Sequence, residues 1–80
     1  MMSVSVNTLA LALKSINRDI RRLEEKLRTE NLDSEENDYY GEYVLDLSRA
    51  LSELSGVYES ERKRHSNLNL PTADELLQAP

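Results

Sequence analysis

The 80-residue chain has no cysteine, no phenylalanine and no tryptophan, and only two glycines and two prolines. Without cysteine, neither a disulfide framework nor a thiolate metal site can brace so small a domain. No run approaches the roughly 18 apolar residues that a membrane-spanning helix needs. The mildly apolar start, MMSVSVNTLALAL, lacks the basic n-region of a signal peptide, so it reads as mature helix and the expected compartment is the cytoplasm. No glycine or proline precedes Gly41, which leaves the first half of the chain free of helix breakers. Basic residues are missing from 29 to 48, where seven acids stand; residues 1 to 28 carry a net +3, and the whole chain a formal −5. That balance argues against a general affinity for nucleic acid.

What the chain does have is a doubled apolar ladder. Leu9, Leu13, Ile16, Ile20, Leu23 and Leu27 step by four and three in alternation, and so do Tyr40, Val44, Leu47, Leu51, Leu54 and Tyr58. Each set lies on one seam of a helix. Counted outward from the polar segment between them, Leu27 pairs with Tyr40, Leu23 with Val44, Ile20 with Leu47, Ile16 with Leu51, Leu13 with Leu54 and Leu9 with Tyr58. The two residue numbers in every pair add to the same total, so a chain folded back near Asp33 and Ser34 brings these side chains to matching heights. The predicted fold is all-α: an antiparallel, coiled-coil-like two-helix hairpin with a short C-terminal helix, forming one domain over 1–80.

Helix one is expected over about 7–29, with Ser5 or Asn7 as its cap and Asn7 favoured; Val6 and Met2 extend the stepping backwards. Residues 28 to 38, RTENLDSEEND, break the heptad phase, and the turn is expected at about 30–34. Asp33, with Glu36 three residues on, starts a second helix over about 34–66, whose first acids suit the dipole. Gly41 costs roughly 1 kcal/mol inside a helix, which predicts fraying or a late start there. After Pro71, Thr72 and Glu75 form a second capping box ahead of a helix over about 73–78, ended by Pro80. Too short to be stable alone, it needs a surface for Leu68, Leu70, Leu76 and Leu77. The apolar LALAL start of helix one lies at the same open end of the hairpin, so a folded-back tail competes with a partner as the cover.

Helix two is apolar over more than its seam. Tyr43, Ala50 and Val57 add a second row at seven-residue spacing, while Gly41, Ser48 and Ser55 make the other flank small. Leu11 points away from the seam. A lone hairpin covers one face of each helix, so the expected interface comprises Tyr43, Ala50, Val57, Leu11, Leu76 and Leu77, and the expected assembly is a homodimer forming a four-helix bundle, another protein being the alternative partner.

Sites for chemistry are scarce. Asp33, Glu35 and Asn37 imitate the start of a calcium loop, but the sixth place is Asp38 where glycine is required, and the twelfth is Val44 where a bidentate acid is required. His65 is the only histidine and suits a helix C-terminus. No serine gains a base from it, and neither an enzyme nor a cofactor nor a small-molecule substrate is expected. The functional expectation is a non-enzymatic protein-protein interaction module of the adaptor, chaperone or regulator type, acting through helix two. The alternative is a nucleic-acid-associated regulator using Lys14, Arg18, Arg21, Arg22 and Arg28 on the outer face of helix one. That row lacks aromatic residues for base stacking.

Overall fold

A computed structural model describes residues 4–78, which form helices and connecting turns without a strand. Met1, Met2 and Pro80, cited above for the helix start and the final stop, lie outside the described residues. Helix α1 spans Val6–Thr29, α2 Ser34–Arg64 and α3 Ala73–Gln78, with a 3₁₀ turn at Ser66–Leu68. The two long helices pack against each other antiparallel, and α3 folds back onto both.

The cap of α1 is Ser5 and not Asn7. Its backbone is extended and its hydroxyl accepts from the Thr8 N–H at 3.1 Å. Starting one residue before Asn7 brings Val6 into the helix, on the inner face with Leu9 and Leu13, where it packs against the core. At the other end Glu30 turns extended while its N–H still donates to the Lys26 carbonyl at 3.0 Å. Asp33 then caps α2, accepting from the Glu36 N–H at 2.8 Å.

Helix α2 runs unbroken through Gly41, so the expected late start does not occur. A first turn with Glu35 and Glu36 and a side-chain cap outweighs one unfavourable residue. The helix ends at Arg64, slightly before the predicted boundary, because the His65 N–H is shared between the Glu61 and Arg62 carbonyls and the chain tightens into the 3₁₀ turn. Asn69 follows with φ 52°. Asparagine tolerates this left-handed conformation better than most residues, and it turns the chain back toward the hairpin.

The best-enclosed residues lie at the open end, where three elements meet. Leu9, Leu13, Tyr58, Ala73 and Leu76 form the buried cluster, with Val6, Ala10, Leu51, Leu54 and Leu77 packed around it. Leu13 is 0% exposed and Tyr58 1%. Farther along the seam Ile20 and Leu23 are buried, whereas Ile16, Leu27, Tyr40, Val44 and Leu47 are half-buried. The molecule measures 50 × 29 × 14 Å, and its smallest dimension is close to the diameter of one helix. Such a layer has little interior except where α3 thickens it.

Candidate interaction surface

The position of α3 decides which surface is left open. Both of its ends are clamped by polar side chains of the hairpin. At the N-terminus the Tyr58 hydroxyl donates to the Pro71 carbonyl at 2.7 Å, and Glu59 accepts from the Ala73 N–H at 2.7 Å. Thr72 and Glu75 complete the reciprocal capping box, each bond 3.1 Å long. At the C-terminus the Leu77 carbonyl accepts from the Asn17 amide at 3.1 Å and the Arg21 guanidinium at 2.8 Å. These bonds satisfy end groups that a helix of 6 residues cannot satisfy internally.

The clamp also perturbs its own groups. The Ala73 N–H, and next the Arg62 guanidinium at 2.9 Å, hold the Glu59 carboxyl below its ordinary value. Burial raises the Tyr58 phenol, and the neighbouring carboxylates of Glu59 and Glu75 act in the same direction against Arg62. At the turn end Lys26 is raised by its hydrogen bond to Glu30, 3.0 Å away.

On a helix each residue is rotated by about 100° from the last, so Val57 and Glu59 lie on opposite sides of the buried Tyr58. Since α3 rests on the Glu59 side, the Val57 side stays open. Tyr43 is 44% exposed and Val57 46%, with Ala50 half-buried between them. Tyr39, more exposed still, stands edge-on to Tyr43 with ring centroids 6.4 Å apart and extends the strip toward the turn. On the small-residue flank Ser48 is exposed, and a Cβ added at Gly41 would meet nothing within 4 Å.

The remaining candidate residues separate. Leu76 is buried and Leu77 half-buried inside the chain's own core, so neither belongs to the strip around Tyr43 and Val57. Leu11 is 60% exposed on the face of α1 turned away from the seam, and it too lies apart from that strip. Leu70 is half-buried, but Leu68 remains exposed in the 3₁₀ turn. Leu45, exposed on the back of α2, is a residue the periodic pattern does not single out.

The basic row of α1 is broken up by local pairing. Arg21 is bound to α3, Arg22 lies 3.4 Å from Asp19, and Arg28 pairs with Glu25, leaving Lys14 and Arg18 without an ion pair among the described residues. A shallow groove of roughly 510 Å³ at the turn end is lined in part by Leu23, Lys26, Glu30 and Tyr40. Its Lys26 sits 5.2 Å from the Tyr40 ring centroid and bonds Glu30, so those groups are already partnered. No cluster of three or more histidine or acidic side chains that could hold a metal occurs among the described residues, and no helix there is long and apolar enough to cross a membrane.

Comparison with protein-family models, with curated proteins and with solved structures yields no match for this chain. The surface itself therefore carries the functional argument.

Proposed function

We propose that this chain is a non-enzymatic protein-protein interaction module, of the adaptor, chaperone or regulator kind, that acts through the apolar face of α2. The observation behind this reading is the exposure of Tyr43 and Val57 on the flank opposite α3. Tyrosine suits such a surface because its ring packs against a partner while the hydroxyl stays hydrated. An apolar strip rimmed by charge on a chain this thin is covered most simply by another protein. Its default form is a homodimer in which two hairpins join as a four-helix bundle.

Val57→Asp places an unpaired carboxylate in that contact and should weaken it without unfolding the hairpin, since Val57 lies outside the core. Sedimentation equilibrium at micromolar concentration is expected to show a dimer for the parent and a monomer for the variant. A photo-crosslinking side chain at position 57, introduced in host cells, should capture a protein, this chain included, whereas one at position 18 should not. Capture at position 18 and none at position 57 would overturn the assigned face.

A further inference from the structure

Building on that reading, we infer that the strip is occupied by a second copy of this chain, its α2 antiparallel to the first, with the two-fold axis passing through Ala50. The row can be followed outward from Ala50 in steps of seven residues: first to Tyr43 and Val57, then to Glu36 and Arg64. Seven residues fall about 20° short of two helical turns, so the five form one slowly winding stripe that turns by about 80° from Glu36 to Arg64, as a supercoiled pairing requires, and all lie within the span of α2. Taken in reverse, the row complements itself. Small meets small at the axis, tyrosine meets valine on either side of it, and an acid meets a base at each end. A parallel pairing would set Glu36 against Glu36 and Arg64 against Arg64.

The groups at the ends are available for such pairing. Arg64 has a side chain 76% exposed and holds only the Glu61 carboxylate at 3.2 Å, leaving further N–H donors on its fork. Glu36 is exposed, donates its backbone N–H to the Asp33 cap and makes no ion pair among the described residues, its carboxylate acting only at longer range on Lys26 of α1. The polarity extends beyond this one row. The first turn of α2 carries Glu35 and Glu36, and its last turn Arg62, Lys63 and Arg64. Antiparallel copies thus place acid beside base at both ends, and their helix dipoles oppose as well.

Near the axis the electrostatics run the other way. Asp46 and Glu53 border the row, and across the two-fold the Asp46 of one copy comes nearly level with the Glu53 of the other, with Arg49 only 3.9 Å from Asp46 to offset them. Attraction is therefore concentrated at the ends, while Ala50 allows close approach in the middle. Because α3 sits on the opposite flank, it does not obstruct this contact.

The chain has no cysteine of its own, so introduced thiols are unique. Tyr43→Cys and Val57→Cys proteins, mixed in equal amounts and treated with a short bis-maleimide, are expected to give mainly a covalent pair containing one chain of each kind. Predominance of either variant joined to itself would overturn the antiparallel register while leaving the interaction surface intact. No covalent pair, with a monomeric mass for the unmodified chain, would overturn self-pairing altogether; capture of a different protein from position 57 in cells would then still support the broader reading.

A charge exchange tests the register without touching the apolar residues. Glu36→Arg or Arg64→Glu alone should weaken dimerisation by about tenfold, because each contact occurs twice across the axis. The double variant should restore it. A double variant that keeps the parent circular dichroism but dimerises no better than either single one would overturn the proposed end-to-end pairing.

Discussion

The two ends of the hairpin carry the same seam pattern and reach different degrees of enclosure. At the open end Leu13 and Tyr58 are shut off from water; at the turn end Leu27, Tyr40 and Val44 stay half-buried. Regular spacing brings side chains face to face in both places, but a second helix covers only one side of the first. Ala73 and Leu76 of α3 supply the missing side at the open end. Nothing equivalent covers the turn end, where Tyr40 carries only Tyr39 and Lys26 as aromatic and cationic neighbours. Ile20 and Leu23 of α1 are still buried along the two-helix seam, so periodicity sets which residues can be core, and the third element decides where both helices are enclosed together.

The largest test of that difference is a pair of truncations. Leu13→Ala should cost about 3 to 5 kcal/mol, since a fully enclosed leucine leaves a cavity behind, whereas half-buried Val44→Ala should cost only about 1 kcal/mol. Urea melts followed by circular dichroism, at one fixed protein concentration, measure both. Equal losses would mean that the ends are enclosed alike.

Tyr58→Phe is expected to cost about 1 kcal/mol by removing the hydroxyl that donates to Pro71 while keeping the ring. Hydrogen exchange should quicken at α3 and leave the amides flanking Asp33 unchanged. Uniform acceleration along the chain would show that the two ends do not open separately.

Gly41→Ala and Gly56→Ala should each stabilise by about 0.5 to 1 kcal/mol, because both glycines are helical and a Cβ at either meets open space. One lies toward the turn and the other toward the open end. Similar gains in the urea midpoint would show that helix propensity acts without regard to tertiary enclosure.

The smallest effect is local and pH-dependent. Glu59 has a lowered carboxyl in the folded chain, so its hold on α3 is complete above the ordinary value of 4.5 and is lost as pH falls through the lowered one. The Ala73 amide resonance should report that loosening under acid, and Glu59→Gln should flatten the change. A resonance indifferent to both would remove Glu59 from the clamp.

Much of the architecture follows from neighbours in sequence. The ladders from Leu9 to Leu27 and from Tyr40 to Tyr58, the phase break around Asp33 and the box of Thr72 with Glu75 are signals confined to a few turns of chain. They suffice for an all-helical chain with two long helices in contact and a short third one. Local signals also misled, as at the N-terminus, where Asn7 and Ser5 are cap types of similar strength but Ser5 lets Val6 reach the core.

That Leu76 and Leu77 could reach the open end was legible in the sequence; how α3 is held there was decided only by the tertiary structure. Asn17 and Arg21 meet Leu77 across most of the chain's length, and Glu59 reaches Ala73 around the bend at Asn69. Nothing in a heptad marks Glu59 as a helix cap, or takes Arg21 out of a row of surface bases, because those roles exist only once distant segments are side by side. The same holds for the open strip. Sequence alone places Tyr43, Ala50 and Val57 in one row, but which flank of the seam α3 covers depends on the side to which the tail turns back, and that is a property of three packed elements.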